Sequence, residues 1–115
     1  MKEKREKRLN NEFRKYIYEV LKNEVKNPDI TEMFTIMEVE TTADLKYATV
    51  LVSIYSTNAE KKQKTFEAIK ESGAFVRRAI SQMMHIRTVP EFRFVLDGSM
   101  EYGAHIDALL EKIKQ

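Results

Sequence analysis

The sequence predicts an α+β domain in which a three-stranded sheet carries helices packed on one face, in the order helix, strand, strand, helix, helix, strand, with a further helix at the C-terminus. Three observations predict it. Apolar residues recur at three- and four-residue steps near both ends of the chain and through residues 59–84. In three short stretches they recur near every second residue instead. The 115 residues, 43% of them hydrophobic, suffice for one modest core, so residues 1–115 are expected to form a single domain.

Leu9, Phe13, Ile17, Val20 or Leu21, and Val25 mark an amphipathic helix from about residue 4 to 26. Asn27-Pro28-Asp29 ends it, because proline disfavours a helical residue before it and cannot continue the hydrogen-bond ladder. Phe34 and Ile36, then Met37 and Val39 after a slip, predict a strand, and Thr41–Asp44 a connection. YATVLVSIY follows, β-branched and apolar on both faces, as a central strand should be. Thr57-x-x-Glu60 fits a capping box for a helix beginning at Asn58 or Ala59 and running through Phe66 and Ile69. A second helical stripe, Phe75, Val76, Ala79, Ile80, Met83 and Met84, comes after Gly73 and is expected to pack in the core. Pro90 opens EFRFVL, which alternates as a strand does. Asp97-Gly98-Ser99 turns the chain, and Ile106, Leu109, Leu110 and Ile113 form the inner stripe of the last helix.

A formal net charge of +2 conceals an uneven distribution. Residues 1–15 carry seven Lys/Arg against three Glu, and residues 61–93 eight against three. Residues 16–60 carry three against eight, and 97–115 two against four. Such segregation suits a basic face presented to a polyanion, since Lys/Arg contacts with phosphate release counterions. Ordinary solvated helix faces are the plainer account of the same pattern.

Other chemistry finds little support. The absence of cysteine removes disulfides, thiolate nucleophiles and thiolate metal sites, and suits a reducing cytosol. His85 and His105 have no metal-ligand spacing with each other, and His105 near Asp97 and Glu101 is a weak dyad. No phosphate-loop or dinucleotide motif is present. Glu38 and Glu40 point the same way on a strand, as an exposed face of an antiparallel sheet would have them. Tyr16, Tyr18, Tyr47, Tyr55 and Tyr102 could stack bases, but some should rim the core. No apolar run approaches a membrane span, and the N-terminus lacks an apolar signal core. A cytoplasmic, non-enzymatic monomer without cofactor, metal or membrane contact is therefore expected.

Gly73 lies between two apolar helical stripes, where glycine costs roughly 1 kcal/mol relative to alanine. It is either a simple bend that lets two helices pack on one sheet or a point where a nucleic-acid backbone approaches. In the second case the small residues Ser72, Gly73 and Ala74 admit phosphate to the start of the next helix, with Arg77 and Arg78 in the following turns.

The order α-β-β-α-α-β is that of a type II K-homology domain, a single-stranded RNA-binding module. LKNEVKNPDI, then FTIMEVETTADLKYATVLVSIY with Asp44-Leu45 and Val50–Ser53, then RTVPEFRF and DGSMEYGAHIDALL follow in an order and spacing by which the chain resembles the ribosome-binding factor A family over nearly its whole length. The resemblance implies a K-homology-like fold whose usual GxxG loop is replaced by an Ala-x-Gly kink, here Ser72-Gly73-Ala74, with the glycine shifted by one. It also implies binding to the free small (30S) ribosomal subunit near the 5′-end helix of 16S rRNA, help in late rRNA processing and subunit maturation, and importance for growth in the cold. Basic residues of the first helix (Arg5, Lys7, Arg8, Arg14, Lys15), the second helix (Lys61, Lys62, Lys64) and the segment after the kink (Arg77, Arg78, Arg87) are expected to engage rRNA phosphate. Two alternatives stay open: a protein–protein adaptor of the same fold that docks a basic ribosomal protein, and a generic single-stranded RNA-binding domain.

Overall fold

Alternation in three segments and helical periodicity in three others produce α1 (Lys2–Asn23), β1 (Met33–Thr41), β2 (Tyr47–Tyr55), α2 (Ala59–Glu71), α3 (Gly73–Met84) and β3 (Glu91–Leu96). This is a computed structural model, and it describes residues 2–97, with side chains from residue 5. The helix expected around Ile106–Ile113 lies outside the described residues.

The strands form one mixed sheet in the order β1-β2-β3. β1 and β2 pair antiparallel from Met33 opposite Tyr55 to Thr41 opposite Ala48. β2 and β3 pair in parallel from Tyr47 beside Glu91 to Val52 beside Leu96, so β2 is the central strand, as its apolar character predicts. The α2–α3 pair makes the crossover that a parallel neighbour requires.

The slip in β1 is real and falls between Ile36 and Glu38, where the register shifts. Met37 is the extra residue and is exposed, contrary to the expectation that it follows the inward set. In an unbroken strand Glu38 would share the face of Ile36; the bulge reverses the parity, turning Val39 inward and leaving Glu38 and Glu40 in solvent.

Helices cover one face of the sheet. Phe13, Ile17, Val20 and Leu21 of α1 are essentially inaccessible and pack with Phe34, Ile36 and Val39 of β1 and Val50, Val52 and Ile54 of β2. α1 runs opposite to β1: Asn10 Oδ1 accepts from the Thr41 hydroxyl at 3.0 Å, and eight residues on the Tyr18 ring lies 5.5 Å from Phe34. Phe13 reaches across to β3, where it meets Phe92 edge-on at 5.6 Å. From the other end of the layer, Phe66 and Ile69 of α2 and Val76 and Ile80 of α3 complete the core. Only Val76 and Ile80 of the α3 stripe are fully buried, while Phe75 and Met83 stand 46% and 37% exposed on the outer side.

Local chemistry sets the boundaries. α1 ends at Asn23, three residues earlier than expected, and Pro28 then occupies a turn closed by the Ile30 amide on the Asn27 carbonyl. α2 is capped by Asn58, whose Oδ1 accepts the Lys61 N–H at 3.0 Å, and not by Thr57. Asparagine is as good a cap, and the Ser56 hydroxyl accepts the Asn58 N–H while donating to Glu32, which ties the start of α2 to the foot of β1. Those hydroxyl contacts, from Ser56 first and Thr31 second, hold the Glu32 carboxyl below its ordinary range. In the β1–β2 turn the Thr42 hydroxyl and the Lys46 amide do the same for Asp44, the hydroxyl being the larger cause.

Candidate nucleic-acid interface

The α2–α3 junction turns on a single residue. Ser72 ends α2, its N–H reaching the Ala68 and Ile69 carbonyls, and begins α3, its carbonyl accepting the Val76 N–H at 2.9 Å. Its hydroxyl is buried and donates back to the Ala68 carbonyl at 2.8 Å, so Ser72 shapes the bend and does not face outward. Among the described residues no side chain caps the first turn of α3, where the amides of Gly73, Ala74 and Phe75 lie ahead of the first intrahelical bond. These amides and the helix dipole favour an anion there.

Gly73 does not have a positive φ. A methyl group built on it would meet the Phe94 ring at 3.6 Å and the Phe92 carbonyl at 4.0 Å, which is ordinary van der Waals contact. The glycine is therefore not required by backbone geometry. What it does is keep the floor between α3 and β3 open.

That floor belongs to a groove of about 760 Å³ lined by Lys70, Gly73, Ala74, Arg77, Arg78 and Arg87, together with polar and apolar residues of α3 and the 87–92 segment. Among the described residues four cations face one carboxylate, Glu91. The structure thus brings together Gly73, Ala74, Arg77, Arg78 and Arg87, five of the residues expected at the site. It adds Lys70, which sequence reasoning missed although it sits one turn before the kink, with its ammonium 5.5 Å from the Phe66 ring. Arg77 has a second duty. Its Nε donates to the Val89 carbonyl at 3.0 Å, anchoring the segment between α3 and β3.

The other expected residues lie elsewhere. Lys7, Arg8, Arg14 and Lys15 line a separate groove of about 820 Å³ between α1 and the edge strand β1, with Glu12, Tyr18, Thr35 and Ile36 among its walls. Arg5, Lys61 and Lys64 are exposed and line neither groove. Lys62 is 7% exposed, on the inward side of α2 with Thr65, Phe66 and Ile69, so it is not presented to a partner. Tyr16 and Tyr18 are half-buried against the core, whereas Tyr47 and Tyr55 stand on the open sheet face, where the Arg93 guanidinium stacks 3.9 Å from the Tyr47 ring. His85 is exposed at the end of α3; Tyr102 and His105 fall outside the described residues. Among the described residues no group of three His, Cys, Asp or Glu could hold a metal ion, and no helix is long and apolar enough to cross a membrane.

A three-stranded mixed sheet with helices on one face and a cation-lined groove at a helix junction defines a small α+β module suited to binding a polyanion. Comparison with known proteins gives the family: residues 5–110 match the family model for ribosome-binding factor A, and the chain belongs to that family. It is 43% identical over 107 residues to ribosome-binding factor A of Clostridium botulinum (strain Eklund 17B / Type B), covering 93% of this chain and 92% of that protein. The crystal structure of ribosome-binding factor A from Thermus thermophilus shares the fold, with a TM-score of 0.67 at 15% identity over 79% of this chain and 93% of that one. A Thermus thermophilus ribosome-binding factor A fitted into a cryo-electron-microscopy map of its complex with the 30S subunit matches with a TM-score of 0.62 at 13% identity, over 77% and 91% of the two chains.

Proposed function

We propose that this chain binds the free small ribosomal subunit through its 16S rRNA, holds phosphate in the groove at the α2–α3 junction, and assists late maturation of the subunit by binding alone. The observation that carries the reading is the groove itself: Lys70, Arg77, Arg78 and Arg87 against Glu91, around uncapped amides at the start of α3. Family membership supports the choice of partner, as does the Thermus relative fitted on a 30S subunit. Binding near the 5′-end helix would hold an immature rRNA segment in one conformation as a monomeric cytoplasmic factor. Its need would be greatest in the cold, when misfolded helices rearrange slowly.

The test is cosedimentation of the purified protein with free small subunits, large subunits and intact ribosomes across a salt series. Selective binding to free small subunits that weakens steeply with salt is expected. Equal binding to all three would reduce the protein to a generic RNA-binding domain. A second reading, docking of a basic ribosomal protein, is favoured by one observation: Glu38 and Glu40 lie exposed on β1 beside exposed Met37, with exposed Met33 and Tyr55 paired at the other end of the β1–β2 pair. Binding that survives nuclease removal of the rRNA would select it.

A further inference from the structure

The basic residues do not form one face. We infer that the chain holds two RNA segments at once, one in the α2–α3 junction groove and one in the groove between α1 and β1. This deepens the function proposed above and rests on it.

The second groove has the features of a single-strand track. Among the described residues Lys7, Arg8, Arg14 and Lys15 stand against Glu12, the same balance of four cations to one carboxylate as the described residues give at the junction. All four are exposed on α1. From Lys7 to Lys15 the helix rises roughly 12 Å at about 1.5 Å per residue, room for a few phosphates. The opposite wall is the Thr35–Ile36 stretch of strand β1, and Tyr18 stands on the helical wall. A cationic wall with aromatic and apolar neighbours is the arrangement by which single strands are held without sequence preference.

The two grooves involve opposite edges of the sheet. β1 and β3 are the opposite edges of the sheet, two strand spacings apart, or about 10 Å. Above the sheet α1 and α3 lie in contact, closing the layer between them. With one segment in each groove, a folded RNA has two of its strands fixed at a set separation.

The experiment uses the full chain and oligouridines of roughly six nucleotides, near the lower end of single-strand site sizes. One oligonucleotide pool carries a fluorescence donor and the other an acceptor, and sedimentation velocity reads the stoichiometry. Wild type is expected to carry two oligonucleotides per chain with energy transfer between them. The Lys7→Gln/Arg8→Gln/Arg14→Gln/Lys15→Gln variant is expected to carry one, with transfer lost and thermal melting unchanged. The Arg78→Gln/Arg87→Gln variant is expected to keep the other. One oligonucleotide per wild-type chain, two retained by the α1 variant, or transfer seen only in complexes of two chains would overturn the inference. Single occupancy confined to the junction groove, with small-subunit binding intact, removes this inference and leaves the proposed function standing. Failure to bind both oligonucleotides and subunits removes both.

Discussion

Arg77 and Arg78 are neighbours in sequence with different work, and separating them tests the account of the junction. Arg77 Nε donates to the Val89 carbonyl at 3.0 Å just before β3 begins, so Arg77→Ala leaves that carbonyl without its charged donor. Hydrogen bonds to charged groups contribute about 1.5–3 kcal/mol, and partial exposure of the guanidinium brings the expected cost to about 1–2 kcal/mol. For a domain near this size the melting temperature should fall by roughly 5–10 °C. Arg78 is exposed on the groove wall, and Arg78→Gln should shift stability by no more than about 0.5 kcal/mol. Its effect belongs to binding: loss of one phosphate contact lowers the slope of log affinity against log salt by about 0.7–0.9. Urea titration gives the first quantity and a salt series of small-subunit cosedimentation the second. Wild-type affinity and slope for Arg78→Gln would refute the junction groove as a phosphate site. A wild-type melt for Arg77→Ala would refute the anchoring of Val89. A double alanine variant mixes the two effects and answers neither question.

Gly73→Ala should melt at the wild-type temperature or slightly above, because its Cβ finds ordinary contact distances, yet bind RNA more weakly as the groove floor fills; a fall of several degrees would mean that the bend itself needs glycine. His85 closes α3 with φ 53°, a left-handed conformation that side chains resist, so His85→Gly should raise stability by about 0.5–1 kcal/mol in urea titration without changing subunit binding. The carboxyls of Glu32 and Asp44 are held below their ordinary range by hydroxyl and amide donors, so their stabilisation is complete above that range and is lost as pH falls through the lowered folded values. Urea midpoints should accordingly drop on acidification below about pH 5, and less steeply in Glu32→Gln, whose amide does not titrate.

Element identity was legible because the periods are clean: β2 reads as central from Val50, Val52 and Ile54 opposite Leu51, and α1 from Phe13, Ile17 and Val20. The slip in β1 was legible too, but which residue leaves the inward row depends on the partner strand, and pairing with β2 puts Met37 outside. Lys62 shows how a charge count misleads. Its spacing to Thr65, Phe66 and Ile69 places it on the buried side of α2, a signal present in the sequence that its charge obscured. The division of basic residues between two grooves was not legible, since it follows from β1 and β3 being opposite edges, and parallel pairing of β2 with β3 leaves no local trace. Arg77's bond to Val89 likewise joins residues twelve apart through a bend that no periodicity encodes.

The parallel strand β3 also makes the last part of the sheet a long-range contact. β1 and β2 are joined by a short turn and can pair early, whereas β3 reaches β2 only after the whole α2–α3 crossover has closed a long loop. Glu91 and Phe92 of that strand, and the Arg87–Val89 segment before it, form one side of the junction groove. The groove therefore needs the β2–β3 pairing as well as the helix pair, and a ligand that fills it stabilises the docked state by mass action. Ligand binding at the junction and completion of the fold are then linked equilibria, so a ligand of the groove selects finished molecules and stabilises them.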